Sequence, residues 1–184
     1  FQQQGSRRFS DIKLEVPPIP VPKGKDTLST QEGFGRILAN LALSKAEFVK
    51  RIVTTSPDVT VSTNLGGWIN RTGIFSRNPI PSSSQESEVQ SFQKWEQKPS
   101  GQHFELGIAE NNLFLILAAM GLSHELFNKR LIPIATLYDP FIYRGLDALN
   151  YACYQDARFI LAATPSGISL APEGGAHQSI GTPL

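Results

Sequence analysis

The amino-acid sequence predicts an α/β fold in which a mostly parallel sheet carries helices on both faces. Ile52 and Val53, residues 131–137 and residues 159–163 form short runs rich in β-branched and apolar side chains, and they are the expected central strands. Strands that are apolar throughout, and not alternating, are typical of parallel sheets buried on both faces. Helical patterns separate these runs over residues 111–122 and 143–155, as expected for alternating strands and helices.

A capping box marks the start of the first helix. Ser29 has the spacing of an N-cap, and Glu32 follows it by three residues. Apolar residues then recur at helical spacing, which predicts a helix to about Leu43. These apolar residues are Phe34, Ile37, Leu38 and Leu41.

Other segments lack the pattern of a helix or a buried strand. Residues 1–28 are rich in Pro and Gln and are expected to form an extended linker, which leaves residues 29–184 as the folded domain. Residues 59–61 are a possible continuation of the first strand, and Gly66 and Gly67 suggest a turn. Residues 76–100 are polar and rich in Ser and Gln, so we expect an exposed, mobile loop.

Composition excludes several classes of protein. Seventeen Lys and Arg against sixteen Asp and Glu give a net charge of +1, which does not favour nucleic-acid or membrane-surface binding. The single cysteine, Cys153, excludes an internal disulfide framework, and because the three histidines are scattered, these four residues alone are not expected to form a structural zinc site. The polar start has no signal-peptide pattern, so we expect a cytoplasmic protein. Because the chain begins with Phe1, we expect it to be a piece of a longer polypeptide.

Three segments are expected at the carboxyl ends of strands, where parallel α/β sheets bind ligands: residues 107–110, 138–141 and 173–177. Glu110 precedes a helix that is apolar on every face. One interpretation is a glutamate that complements the helix dipole. The other is a partly buried catalytic acid, in which burial disfavours the carboxylate while the helix N-terminus favours it.

The other two segments carry aromatic rings and a histidine. Tyr138 and Phe141 flank Asp139 and Pro140, which end the strand, so the rings are either core residues or a stacking surface for a flat heterocycle. His177 follows two glycines and is either a solvated surface residue or a group for proton transfer. Walker P-loop, Gly-x-Ser-x-Gly, His-Glu-x-x-His and Cys-x-x-Cys patterns are all missing from the sequence.

Together and in this order, the segments resemble the pyrimidine-binding domain of transketolase-like thiamine-diphosphate enzymes. Residues 107–112, Gly-Ile-Ala-Glu-Asn-Asn, resemble the Gly-Ile-Ala-Glu-Gln-Asn stretch of 2-oxo-acid dehydrogenases more than the Arg-Glu-His of transketolase. Residues 132–141 resemble the strand and aromatic loop that follow in this family. Residues 164–177 resemble its glycine-rich turn ending in a histidine, and residues 51–58 resemble its first strand. The resemblance covers residues 29–184.

The resemblance implies a role for each site residue. Glu110 would hydrogen-bond the ring nitrogen of the cofactor's aminopyrimidine, Phe141 would stack on that ring, and Tyr138 would lie beside it. His177 would lie near the substrate carbonyl or carboxylate, with Glu173 orienting it. The Gly-Asp-Gly motif that holds Mg²⁺ and the diphosphate is missing here, so this chain is expected to supply no metal ligand. That motif belongs to the other cofactor-binding domain.

As a whole, the resemblance implies the decarboxylating component of a homodimeric pyruvate or other 2-oxo-acid dehydrogenase complex, an oxidoreductase whose acyl group passes to a lipoyl-bearing acyltransferase component. A transketolase that moves two-carbon ketol units is the alternative enzyme. A non-catalytic dimerisation or regulatory domain of the same fold is the alternative outside the enzymes. The family's domain continues with a further helix and strand, so we expect this chain to be incomplete at its C-terminus and inactive in isolation.

Overall fold

The structure, a computed structural model, describes residues 14–19, 27–44, 46–78 and 95–164. Within them, strands and helices alternate along most of the chain. The strands are β1 (Ile52–Ser56), β2 (Ile74–Phe75), β3 (Gln97–Lys98), β4 (His103–Glu105), β5 (Ile132–Leu137) and β6 (Ile160–Ala163). The helices are α1 (Thr30–Leu41), α2 (Glu47–Lys50), α3 (Gly66–Thr72), α4 (Glu110–Gly121), α5 (Ser123–Phe127), a 3₁₀ helix (Asp139–Gly145) and α6 (Leu146–Tyr154).

The described strands form one six-stranded sheet in the order β3-β2-β4-β1-β5-β6. Every pair in it is parallel. On one side of β1, Thr54 aligns with His103 of β4, and on the other, Ile52 aligns with Ile132 of β5. The predicted α/β fold with a parallel sheet is therefore confirmed.

Side chains of β1 and β5 alternate between two hydrophobic cores. Ile52 and Ile134 pack in a core with residues of α1, α2 and α3. Their neighbours Val53 and Ala135 pack in a second core with residues of α4 and α6. Because successive residues of a strand point to opposite faces, the two cores lie on opposite sides of the sheet. The prediction of helices on both faces is confirmed.

Only one of the two hydrogen bonds of the predicted capping box is formed at the start of α1. The Glu32 backbone N–H donates to Ser29 Oγ at 3.1 Å, which caps the helix N-terminus. The Glu32 carboxylate, however, accepts from Arg36 Nη2 at 2.7 Å, one turn further along the helix. The helix ends at Leu41, close to the predicted Leu43.

The prediction of residues 159–163 as a buried central strand is wrong. Residues 160–163 do form β6, but in the described sheet β6 pairs with β5 alone and lies at the end of the strand order. Leu161 packs against the core beneath α4, whereas the Ile160 side of the strand is open and Ile160 is 49% exposed. The apolar residues 159–163 therefore predicted a strand correctly, but they did not predict that this strand would be partly exposed at the end of the described sheet.

Two predictions for the segment after β1 are also wrong. Residues 59–61 do not continue the strand: Pro57 has no N–H to donate, Asp58 adopts φ 62°, and a turn follows. Gly66 and Gly67 begin α3 and are not a turn. A Cβ at Gly67 would lie 3.0 Å from Ala39 Cβ, so this glycine serves the close packing of α3 on α1.

Several predictions fall wholly or partly outside the described residues. Of the predicted linker, residues 14–19 contain no helix or strand, and the rest of 1–26 lies outside the described residues. Of the predicted loop 76–100, residues 79–94 lie outside the described part of the chain, and residues 97–98 form β3. The helix predicted from 143 begins as the 3₁₀ helix and becomes α6 at Leu146. Glu173 and His177 lie outside the described residues.

Candidate active site

The candidate site lies at the carboxyl ends of β4 and β5, on either side of β1. After β1 the chain builds the sheet outward through β2 and β3 and returns as β4, and it then crosses to the other side of β1 as β5. Ligands of open α/β sheets bind in the crevice at such a switch point. The chain leaves β4 toward Glu110 and leaves β5 toward Tyr138 and Phe141.

Glu110 is the first residue of α4 and is buried, with 5% of its surface exposed. The next turns of the helix contribute Leu113, Phe114 and Leu117 to the core, each fully buried. Packing of these side chains draws the start of the helix inward together with its carboxylate. A buried carboxylate is costly unless it is paired and hydrogen-bonded.

Arg144, in the 3₁₀ helix, provides that pairing. Its Nη1 donates to Glu110 Oε1 at 2.8 Å, and its side chain is 52% exposed while that of Glu110 is 6% exposed. The ion pair therefore lies at the boundary between core and solvent. It ties the segment after β5 to the start of α4 at the position of the candidate acid.

The two aromatic residues of the candidate site, Phe141 and Tyr138, lie next to Arg144 and to each other. The Arg144 guanidinium carbon lies 4.1 Å from the centroid of the Phe141 ring, within the range of a cation–π interaction. Phe141 and Tyr138 meet edge to face with ring centroids 6.1 Å apart. Contacts thus run without a break from Glu110 through Arg144 and Phe141 to Tyr138.

Gly145 allows the 3₁₀ helix to lie this close to α4. A Cβ at Gly145 would come within 2.3 Å of Phe114 Cδ2 and 3.1 Å of Asn111 Cα. These atoms are an aromatic ring in the core and helix backbone, neither of which yields easily. The absent side chain at this position therefore sets the distance between Arg144 and Glu110.

A second polar cluster lies on the α1 face of the sheet, where β1 and β4 end. The fully buried His103 contacts Thr54 Oγ1 through Nδ1 at 2.9 Å and Thr60 Oγ1 through Nε2 at 3.3 Å. Glu105 Oε1 accepts from the Asp58 backbone N–H at 3.0 Å. The cluster thereby holds the turn that follows β1.

Hydrogen bonding decides the charge state of Glu105. Burial raises its pKa, but hydrogen bonds from His103 and Thr60, the charge of His103 and the Asp58 N–H together outweigh that effect and lower the pKa below its ordinary value of 4.5. Glu105 is therefore held as a carboxylate that accepts bonds from three residues around the turn.

Asp139, the first residue of the 3₁₀ helix, is 5% exposed. Its Oδ2 is buried and has no hydrogen-bond partner among the residues that the structure describes. Its backbone N–H donates to Thr164 Oγ1 at 3.2 Å, which joins the ends of β5 and β6. The segment that carries Tyr138 and Phe141 is thereby fixed to both strands.

The structure brings Glu110, Tyr138 and Phe141 into one contact chain, and it places Glu173 and His177 outside the described residues. The sequence reasoning missed Arg144. No local pattern marks that residue, because its partner lies 34 positions away. His103 and Glu105 were also missed, although their alternation in a strand with Phe104 between them would have placed both on one face.

Among the residues that the structure describes, no group of three or more His, Cys, Asp or Glu side chains is placed to hold a metal ion. None of the helices described is long and apolar enough to cross a membrane.

Fold and site together describe an α/β protein with a buried carboxylate and an aromatic surface at its switch point. The chain is similar to the pyruvate dehydrogenase E1 component of Corynebacterium glutamicum, with 26% identity over an alignment that covers 97% of this chain. It spans 20% of the length of that relative. No family model matches the chain. The similarity supports a family-level link to this group of enzymes.

Proposed function

We propose that this chain is the pyrimidine-binding half of a thiamine-diphosphate-dependent 2-oxo-acid dehydrogenase component. The observation that carries the proposal is the buried Glu110 at the start of α4. Its partner Arg144 also contacts the Phe141 ring, so the carboxylate and the aromatic ring are separated by a single side chain. A carboxylate and a flat aromatic face are the groups that an aminopyrimidine requires for a hydrogen bond and for stacking. The similarity to a pyruvate dehydrogenase E1 component agrees with this assignment.

The residues fit half of the cofactor. Glu110, Tyr138 and Phe141 suit the aminopyrimidine, whereas the described residues offer no set of ligands for Mg²⁺ and the diphosphate. Those ligands would come from a diphosphate-binding domain of the same or a partner subunit. When bound, the cofactor supplies the carbon nucleophile that attacks the carbonyl of the 2-oxo acid.

Each residue of this chain then has a defined task. Arg144 binds Glu110 through Oε1 and supplies the counter-ion of its carboxylate. Glu110 would hydrogen-bond the pyrimidine ring nitrogen and control the proton there. Phe141 and Tyr138, whose rings meet edge to face, would lie against the pyrimidine. His177 and Glu173 remain proposed as the groups nearest the substrate.

The proposal extends to assembly and substrate. We propose pyruvate as the 2-oxo acid, a homodimer as the assembly, and a lipoyl-bearing acyltransferase component as the acyl acceptor. Transketolase activity is the second enzyme candidate, and a non-catalytic domain is the third. The buried and paired Glu110 favours the catalytic candidates, because an acid with only a dipole role has no need of burial.

The test is Glu110→Gln in the full-length enzyme, with hydrogen–deuterium exchange at the thiazolium carbon as the readout. Glutamine keeps the size but cannot take part in proton control, so exchange should slow by about 10²–10⁴-fold. The matched control is Glu32→Gln, since Glu32 also lies in the first turn of a twelve-residue helix and also pairs with an arginine.

Exchange should be unchanged in the Glu32 variant. Wild-type exchange in the Glu110 variant, with a stability loss of only about 0.3–1 kcal/mol, would assign Glu110 to the helix dipole and overturn the proposed function.

A further inference from the structure

His103 is fully buried in β4 and is held by polar side chains on both of its ring nitrogens. Its Nδ1 lies 2.9 Å from Thr54 Oγ1. Its Nε2 lies 3.3 Å from Thr60 Oγ1 and 3.4 Å from Glu105 Oε2. An apolar side chain would fill the same place without the cost of desolvating polar groups, which points to a role for this network beyond core packing.

Hydrogen bonding places a proton on Nε2 of the His103 ring. Because Glu105 is held as a carboxylate, its oxygens only accept hydrogen bonds. Thr60 therefore donates its single hydroxyl proton to Glu105 Oε2. The contact between Thr60 Oγ1 and the ring then has to use an N–H of His103. Nδ1 faces the hydroxyl of Thr54, which can donate to it.

The network ends on the turn that follows β1, residues 57–65. Asp58 in this turn has φ 62°, a left-handed conformation that costs free energy for a residue with a side chain. Strained backbone of this kind persists only where the surrounding contacts hold it. Glu105 holds the turn through both carboxylate oxygens, since Oε1 accepts from the Asp58 N–H at 3.0 Å and Oε2 accepts from Thr60. The Nε2–H of His103 in turn orients Thr60 and Glu105.

This turn lies in the middle of the sheet edge that carries the candidate site. Strand β1 pairs with β4 on one side and with β5 on the other, and those strands lead to Glu110 and to Tyr138. The backbone N–H of Leu106 donates to Ser56 O at 3.2 Å, which ties the end of β4 to the end of β1. Gly107, with φ 63°, then turns the chain toward α4. A displaced turn would therefore move the strand end from which the chain reaches Glu110.

We propose that His103 is a positioning residue of the candidate site, which acts by holding the turn after β1 against the end of β4. Its Nε2–H fixes Glu105 and Thr60, and these two side chains fix the turn. The fixed turn keeps the end of β4 in the place from which Glu110 can serve the cofactor. The inference rests on the proposed function for the role of Glu110, and it assigns no chemical step to His103 itself.

Two substitutions in the full-length enzyme separate the donor at Nε2 from the bulk of the ring. The amide nitrogen of His103→Gln extends to the position of Nε2 and can donate to Thr60 and Glu105, whereas that of His103→Asn extends only to the position of Nδ1. His103→Gln should therefore keep kcat within about twofold, and His103→Asn should lower it by about tenfold, because misplacement of groups costs rate even when its cause is remote. KM for pyruvate should stay within about twofold in both variants, since neither removes a contact to the substrate.

Two further measurements distinguish positioning from a purely structural role. Amide hydrogen exchange, followed by mass spectrometry, reports on the turn: the peptide that contains residues 57–65 should exchange about tenfold faster in His103→Asn, and peptides from α1 should be unchanged. Hydrogen–deuterium exchange at the thiazolium carbon reports on the cofactor, and in His103→Asn it should slow by the same factor as kcat. A purely structural role would open the turn and leave thiazolium exchange at the wild-type rate.

His124 provides the matched control. It is also buried, but it lies in α5, which precedes β5 and is therefore at the opposite end of that strand from Tyr138. His124→Gln and His124→Asn should leave kcat and thiazolium exchange unchanged.

The outcomes keep the two proposals apart. If His103→Gln and His103→Asn behave alike, or if the turn opens in His103→Asn without slower thiazolium exchange, the positioning role is overturned. If Glu110→Gln slows thiazolium exchange and His103→Asn does not, the positioning role fails alone. Wild-type thiazolium exchange in Glu110→Gln, together with a lower kcat in His103→Asn but not in His103→Gln, would overturn the proposed function and leave the positioning role standing.

Discussion

Arg144 Nη1 lies 2.8 Å from Glu110 Oε1 and joins the 3₁₀ helix after β5 to the first residue of α4. The two residues are 34 positions apart in the chain. Their pairing gives the buried carboxylate a counter-ion and brings the guanidinium over Phe141. Four consequences of the site and its surroundings can be measured.

Arg144→Met should lower the free energy of unfolding by about 1–3 kcal/mol, because it leaves Glu110 buried without its partner. A double-mutant cycle with Glu110→Gln should give a coupling energy of about 1–3 kcal/mol by denaturant unfolding. The exposed pair Arg36–Glu32 is the matched control, with side chains 47% and 41% exposed, and its coupling should be about 0.3–0.5 kcal/mol. Equal coupling energies in the two pairs would contradict the expectation that burial of Glu110 strengthens its interaction with Arg144.

Gly145→Ala should destabilise the protein by about 1–3 kcal/mol, since its methyl group would overlap Phe114 and press the 3₁₀ helix away from α4. Gly33→Ala is the control, because Gly33 lies near the start of α1 and a Cβ there meets nothing within 4 Å. That control should stabilise by about 0.4–1 kcal/mol. Thermal unfolding compares the stabilities of the two variants. If Gly145→Ala has the stability of the wild type, the packing between the 3₁₀ helix and α4 adjusts to the methyl group without a loss of stability.

Glu105→Gln should reveal a pH-dependent contribution to stability. Because the pKa of Glu105 is lowered in the folded protein, its carboxylate stabilises the fold above the ordinary value of 4.5. This contribution should fade as the pH falls below 4.5 through the lowered folded-state pKa. The difference in unfolding free energy between wild type and variant, measured from pH 7 to pH 3, should therefore shrink at the acidic end. A constant difference would argue against the hydrogen-bonded carboxylate.

The chain in isolation should bind thiamine diphosphate weakly or not at all. The described residues offer an aminopyrimidine surface but no set of metal ligands for the diphosphate. Isothermal titration in the presence of Mg²⁺ should therefore show no sub-micromolar affinity. Tight binding would mean that the proposed division of the cofactor between two domains is wrong.

Local sequence predicted the strands and helices whose apolar patterns are long, and it predicted the fold class from their order. Position within the sheet was harder, because the apolar run of β6 resembles that of the buried β5 although Ile160 is 49% exposed. Gly66 and Gly67 suggested a turn, because glycine is common in turns. In the structure both lie in α3, and a Cβ at Gly67 would lie only 3.0 Å from Ala39 Cβ, so close packing on α1 explains the small residue at that position.

The candidate site shows the same limit. Glu110, Tyr138 and Phe141 could be singled out because each lies where a strand or helix begins or ends, and such boundaries leave a mark in sequence. Arg144 could not, because its importance comes from a partner on another helix.

Strand β5 presents its alternating side chains to the two faces of the sheet. Thr136 faces the α1 side, where its hydroxyl contacts that of Thr63 at 2.8 Å, while Leu137 lies in the core beneath α4, the helix that begins with Glu110. The backbone of the sheet separates the two sides. Side chains on the α1 side of β5 can therefore be exchanged without removing a side chain that packs beneath α4. A shift of one residue in the register of β5 would have the opposite effect, because it would exchange the two sides at once.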